Sequence, residues 1–232
     1  MSDIVQISGP TYSPTSGGGP QQLVILCHGV GADGQDLIGM APYFSKVLPN
    51  ALFVAPNAPQ PYDMAPMGYQ WFSLNEATPE TRLSGTQEAA PVLNAFIDQQ
   101  LAQYGLDDSK LALVGFSQGT MMALHVALRR ERRMAGVVGY SGALVGEELL
   151  LSEVVSRPPV LLIHGDTDDV VPPDSLDHAV KALAMAGVTV TSEMRSGLGH
   201  GLDDRGLMIG MDFLAHVFDV PLPESKAPLP DN

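Results

Sequence analysis

Short, almost uninterrupted apolar runs, separated by longer segments of helical pattern, constrain this chain more than any other feature. The runs are 22–27 (QLVILC), 51–55 (ALFVA), 110–114 (KLALV), 134–140 (MAGVVGY), 159–163 (PVLLI) and 188–194 (VTVTSEM). A strand that is apolar on both sides must be covered on both faces, which is the situation inside a parallel sheet flanked by helices. Helix-patterned segments lie between the runs, at about 35–47, 86–104, 118–131, 174–186 and 203–217. Gly105 and Gly187 follow the second and fourth of these, where a helix commonly stops. The alternation predicts an α/β domain with a mostly parallel central sheet and helices on both faces.

A chain of 232 residues is the size of one such domain, and its 45% hydrophobic content excludes a disordered chain. The α/β domain is expected over residues 1–217. Residues 218–232 carry four prolines and read as a tail, and residues 8–22, rich in Gly, Pro and Ser, read as a turn or loop between short early strands. The formal charge of −14 repels phosphate backbones and anionic headgroups, so nucleic acid is not an expected partner. Cys27 is the single cysteine, which excludes an internal disulfide and a thiolate metal cluster; within its apolar run it reads as a small core residue. No segment is apolar over the ~18 residues that a membrane-spanning helix needs. Met1-Ser2-Asp3-Ile4 does not begin a basic stretch followed by a long apolar one, so the expected location is the cytoplasm.

The strongest chemical signal is Gly115-Phe116-Ser117-Gln118-Gly119. A bare G-x-S-x-G is weak, but here an apolar run precedes it and a helix-forming run, 120–129, follows it. A serine on such a tight strand-to-helix turn is held exposed above the sheet edge, with the positive end of a helix behind it. A serine hydroxyl also needs a base, and the base needs an orienting carboxylate. Of six histidines, His125, His178 and His216 lie in helical segments, while His28 and His164 end strands and read as loop-pinning groups. His200 lies in Ser196-Gly197-Leu198-Gly199-His200-Gly201, between the last run and the last helix, and is the candidate base. The carboxylate is expected after the run 159–163, where Asp166, Asp168 and Asp169 compete and spacing does not choose among them. For the two N–H donors of an oxyanion hole, Gln118 follows the serine, and Val30 lies in the Gly-rich segment 27–34 after an earlier strand. The order Ser, Asp, His along the chain is that of α/β-hydrolases.

Five segments in this order, Leu26-Cys27-His28-Gly29-Val30-Gly31-Ala32-Asp33, Trp71-Phe72, 115–119, His164-Gly165-Asp166-Thr167-Asp168 and Gly199-His200, together resemble the phospholipase/carboxylesterase family, which includes bacterial esterases and acyl-protein thioesterases. The resemblance runs from about residue 20 to 217. It implies a single-domain α/β-hydrolase fold with little or no lid. It selects Asp168 as the catalytic aspartate, with Asp169 as the fallback, and matches Val30 and Gln118 to the oxyanion donors. It also places Trp71 near the acyl pocket, with Val171 as a second substrate-binding candidate. Three residues depart from the family's usual pattern: Cys27 stands where leucine is common, Ser73 where aspartate is frequent, and Thr120 where a second glycine is frequent; the last two bear on pocket shape.

The expected function is a serine carboxylesterase acting on short- to medium-chain esters, a small-molecule substrate, with no metal or organic cofactor. The alternatives are a lysophospholipase or acyl-protein thioesterase for longer acyl chains, and a non-catalytic binding protein on a hydrolase fold. Apolar surface helices would support a homodimer, although nothing in the sequence demands one.

Overall fold

Five of the six apolar runs become inner strands of one sheet, and the sixth, 188–194, supplies a half-exposed strand at its edge. The structure, a computed structural model, describes residues 5–221. Its elements in chain order are β1 (Thr11–Tyr12), β2 (Gln22–Cys27), α1 (Gly34–Leu37), a 3-10 turn at Ile38–Met40, α2 (Ala41–Phe44), β3 (Ala51–Val54), β4 (Gln60–Pro61), β5 (Tyr69–Gln70), α3 (Pro79–Tyr104), a 3-10 turn at Asp108–Lys110, β6 (Leu111–Phe116), α4 (Gln118–Arg129), β7 (Gly136–Tyr140), α5 (Glu147–Glu153), β8 (Val160–Gly165), α6 (Asp174–Met185), β9 (Val190–Arg195) and α7 (Asp204–Val217). The seven-stranded sheet has the order β1-β3-β2-β6-β7-β8-β9, and β4 and β5 pair separately. Only β1 runs antiparallel to its neighbour within the large sheet.

Alternate residues of the inner strands enter two different cores, so both sheet faces are covered as the runs predict. Leu23, Ile25, Leu113 and Leu162 pack with Leu93 and Ile97 of α3, Leu124 of α4 and Leu183 of α6. Val24, Leu26, Val114 and Ile163 pack with Phe44 of α2 and with Leu207 and Leu214 of α7. Each such fully buried aliphatic side chain contributes roughly 1.5–3 kcal/mol relative to an exposed one. Cys27 is among them, and burial pushes its thiol up to about 12, so it is inert at neutral pH. Phe218 and Val220 also pack against the second core, while residues 222–232 of the expected tail lie outside the described residues. Among the described residues, no helix is long and apolar enough to cross a membrane.

The chain places β3 on one side of β2 and β6 on the other, so the strand order reverses direction at β2. Loops leaving two neighbouring strands in opposite directions open a crevice at their C-terminal ends, where α/β proteins place ligands. Here β2 and β6 are paired up to Cys27 opposite Gly115, so the segment after Cys27 and the turn after Phe116 emerge side by side.

The segment expected as one helix at about 35–47 is broken into α1, a 3-10 turn and α2, and three further elements differ from the sequence expectation. Helix α3 begins at Pro79, not near 86, because Thr78 caps it reciprocally with Thr81 and Pro79 occupies its first turn. Gly85 lies within it, and a Cβ there would come within 2.6 Å of Phe72 Cβ, so the glycine allows the helix to close on that segment. Helix α5 is short, seven residues or about two turns, with no long apolar period, and strand β1 adds an edge pairing within the Gly/Pro-rich stretch.

Helix α4 lies between the sheet and α3, buried from Gln118 to Leu128. His125 is therefore only 4% exposed, and its Nδ1 has no partner among the described residues. Burial, assisted by the Arg129 charge and opposed by Glu153, lowers its pKa from 6.5 to about 4. In the unfolded chain the imidazole takes its proton near 6.5, whereas the folded form resists it. Its contribution is therefore complete above that value and falls, by on the order of 3 kcal/mol, as the pH drops to about 4. We expect His125→Leu to lose distinctly less stability than the wild type between neutral pH and pH 4 in urea unfolding. Equal losses in the two proteins would assign the acid sensitivity to other groups.

Candidate active site

Ser117 sits at the crevice, between the end of β6 and the start of α4, with φ 53° and ψ −117°. A positive φ is costly for a residue with a Cβ, and such strain, on the order of 1–3 kcal/mol, persists only where the surroundings enforce it. The enforcement is visible. Ser117 N–H donates to Tyr140 O at 2.9 Å, and the N–H groups of Thr120 and Met121 return to Ser117 O at 3.0 and 3.3 Å. Gly119 lets the helix start press against the end of β2, since a Cβ there would stand 1.9 Å from Cys27 O. Thr120, where the family favours glycine, turns away from the crevice: its Oγ1 donates to Tyr140 O at 3.0 Å. Its bulk is accommodated by Gly142, where a Cβ would come within 2.3 Å of Thr120 Cβ.

The segment after β2 is fixed by His28. Ala58 N–H donates to His28 Nε2 at 2.9 Å, so Nε2 is the acceptor and Nδ1 carries the hydrogen toward Gly29 O at 2.7 Å. Both bonds require the neutral ring, and burial, the main cause, lowers the His28 pKa below its usual value. Trp71 is fully buried behind this loop, its indole N–H donating to His28 O at 3.0 Å. The Gln118 side chain bridges to the same region: its Oε1 accepts from Trp71 N–H at 2.8 Å, and its Nε2 donates to Phe72 O at 2.7 Å. With Val30 and Gln118 positioned in this way, their backbone N–H groups donate to no protein acceptor among the described residues. Two unused donors beside a strained serine are available to an anionic oxygen.

Asp168 and His200 come together from the ends of β8 and β9. Asp168 Oδ2 accepts from His200 Nδ1 at 2.8 Å. Its Oδ1 accepts from the N–H groups of Val170 and Val171, both at 2.9 Å. His164 Nε2 lies 2.9 Å from Val171 O and 3.3 Å from Asp168 Oδ2, so that nitrogen carries its hydrogen toward two oxygens. Burial alone would raise the Asp168 carboxyl, but the hydrogen bonds from His200, Val171 and Val170 outweigh it and hold the group below the usual aspartate value. The competing aspartates do other things. Asp166 accepts from Gly197 N–H at 2.7 Å and so braces the His200 loop, while Asp169 is exposed. Ser141 Oγ also holds that loop through Gly201 O at 3.3 Å. The His200 ring lies 5.0 Å from the ring of Phe116, the residue before the serine. No hydrogen bond joins Ser117 Oγ to His200, and such contacts commonly tighten only when substrate binds.

Ser117, Val30, Gln118 and Val171 border one small cavity of about 80 Å³, together with Leu74, Arg82, Met121 and Ala143. Trp71 is not among its lining residues: its role here is to support the Val30 loop from behind, because its ring is spent on packing and on the bond to His28 O. Ser73 borders a different surface hollow. Arg82, Met121, Ala143 and Ser175 are shared with an adjoining cleft of about 290 Å³. Arg82 is the charged lining residue that sequence reasoning missed; the signal that could have found it is the Thr78-Pro79 helix start. Among the described residues, no group of three or more His, Cys, Asp or Glu side chains is arranged to hold a metal.

A parallel sheet with a strained serine between a central strand and a helix, at the point where strand order reverses, defines an α/β-hydrolase. Residues 15–218 match the phospholipase/carboxylesterase family, and the chain belongs to that family. It is 32% identical over 216 residues to esterase YpfH of Escherichia coli (strain K12), covering 89% of each chain. It is 32% identical over 158 residues to acyl-protein thioesterase 1 of Schizosaccharomyces pombe, covering 64% of this chain and 69% of that one. The crystal structure of esterase PE8 superimposes with a TM-score of 0.88 at 41% identity, over 92% of this chain and all of that one, 100%. The protein is thus a hydrolase.

Proposed function

We propose that this hydrolase is a serine carboxylesterase for short- to medium-chain esters, with Ser117 as nucleophile, His200 as general base and acid, and Asp168 as the group that orients His200. The observation that carries the reading is the Asp168–His200 bond of 2.8 Å at the same sheet edge as the strained Ser117. Asp168 accepts the Nδ1–H of His200, which leaves Nε2 free to take the hydroxyl proton as Ser117 Oγ attacks the ester carbonyl carbon. The carbonyl electron pair moves onto oxygen, where the N–H groups of Val30 and Gln118 hold it. Collapse breaks the bond to the alkoxy oxygen, which leaves with the proton from His200. Water then gives a proton to His200 and attacks the acyl-enzyme. The second collapse returns that proton to Ser117 and releases the acid.

The small cavity beside Ser117 supports the chain-length part of the reading. A longer acyl chain would have to continue into the adjoining cleft, where Arg82, Glu147, Glu148 and His178 stand among Met121, Leu144, Val145 and Ala179. An aliphatic tail there would strip water from ionisable groups without replacing their hydrogen bonds. Rates on p-nitrophenyl esters from acetyl to palmitoyl, each corrected with the Ser117→Ala protein, test this directly. We expect the maximum between acetyl and hexanoyl. A maximum at dodecanoyl or beyond would establish the thioesterase or lysophospholipase alternative instead.

A further inference from the structure

Arg82 is out of place unless it has a charged partner that arrives with the substrate. It is partly buried on the first turns of α3, and its Nε is sealed from solvent with no acceptor. None of its guanidinium nitrogens forms a hydrogen bond or ion pair among the described residues. The other half-buried arginines are satisfied, Arg129 by Glu153, Arg130 by Asp98 and Asp108, and Arg195 by Glu193 and Asp203, whereas Arg132, Arg133 and Arg205, which also form no hydrogen bond or ion pair among the described residues, are exposed to water. The chain has 26 carboxylates for 12 Lys and Arg, so an unpaired guanidinium is not a shortage of acidic groups. Local structure gives no reason for the cation either, because a positive charge near a helix N-terminus is opposed by the helix dipole.

Position supplies the reason. Arg82 borders the same cavity of about 80 Å³ as Ser117, Val30 and Gln118, so an ester bound at Ser117 would share that cavity with the Arg82 side chain. Glu147 and Glu148 border the neighbouring cleft that Arg82 also reaches, yet neither pairs with it. A guanidinium left unpaired in a partly dry cavity recognises a carboxylate through charge-assisted, two-pronged hydrogen bonds.

We propose that Arg82 makes this site selective for esters bearing a carboxylate a few bonds from the scissile carbonyl. The proposal rests on Ser117 being the esterase nucleophile. The carboxylate can belong to the acyl part, as in a monoester of a dicarboxylic acid, or to the alcohol part, and matched substrates separate the two. Monoethyl glutarate is compared with ethyl pentanoate for the acyl side, and 4-butanoyloxybutanoate with butyl butanoate for the alcohol side, by pH-stat titration. In one pair, the wild type is expected to show kcat/KM about tenfold or more higher for the carboxylate ester, despite the repulsive surface charge. Raised salt screens that surface repulsion and should widen the preference. Arg82→Met should remove most of the preference, and Arg82→Lys should keep part of it. A wild type without preference in either pair overturns the proposal, as does a preference that Arg82→Met leaves intact. Failure of the esterase reading looks different: neither neutral ester would then show a Ser117-dependent rate.

Discussion

Ser117→Ala is expected to lower kcat/KM on every ester by on the order of 10⁵-fold or more, leaving only the background that oxyanion donors and binding provide. The structure adds a second, opposite effect that a merely structural serine at an ordinary turn would not show. The φ of 53° at Ser117 is strained for any residue with a Cβ, and alanine keeps that strain. Glycine removes it, at roughly 0.5–1 kcal/mol of extra chain entropy against a strain of about 1–3 kcal/mol. Ser117→Gly should therefore be as inactive as Ser117→Ala and more stable than it, by about 1 kcal/mol in urea unfolding. Retained turnover in either variant would remove Ser117 from the mechanism. A glycine variant less stable than the alanine one would show that the turn is not under strain.

The sheet was legible because its strands are continuous in apolar residues. Only burial on both faces makes a run such as Leu23 to Cys27 tolerable, and the two cores bear that out. The tight turn at Ser117 was legible for a related reason: it needs glycines where the helix start meets β2, and a Cβ on Gly119 would stand only 1.9 Å from Cys27 O. Spacing could not rank Asp166, Asp168 and Asp169. All three suit the turn, and what separates them is burial and reach: Asp168 is buried against His200, Asp166 turns to Gly197 N–H, and Asp169 is exposed. Of the cavity wall, only Val30, Ser117, Gln118 and Val171 were legible, through the segments that contain them. Its other residues come from the β5 loop, α3, α4, the β7 loop, the β8 loop and α6, so no periodicity marks them. Arg82 was hidden further because Thr81, Ser84, Gly85 and Thr86 are weak helix formers, and packing on Phe72 rather than propensity extends α3 through them.

Asp168→Asn is expected to cost on the order of 10⁴-fold in kcat with little loss of stability, and the hydrogen-bond pattern says why. The asparagine oxygen can still accept from the Val170 and Val171 N–H groups, so the loop stays closed. Its amide nitrogen then faces His200 Nδ1, and a donor there forces that nitrogen to become the acceptor. The ring hydrogen moves to Nε2, the position that must be bare to receive the Ser117 proton. The reversed amide orientation would set its NH₂ against two buried N–H donors, each left unsatisfied at about 1–3 kcal/mol, so the inactive tautomer prevails. Asp168→Ala should lose a similar factor in rate and, in addition, about 2–3 kcal/mol of stability, because both loop N–H groups are orphaned. The wild-type carboxyl, held below the usual aspartate value of 3.8, makes its stabilising contribution above that pH and loses it as the pH falls through its own depressed value. It stays ionised throughout the neutral range, so Asp168 cannot be the source of a decline in rate between pH 7 and 5. Asp169→Asn is the control, since that side chain is exposed. If Asp168→Asn kept its rate within about tenfold of wild type while Asp169→Asn lost it, the orienting carboxylate would be the fallback aspartate and the 2.8 Å contact to His200 would be structural.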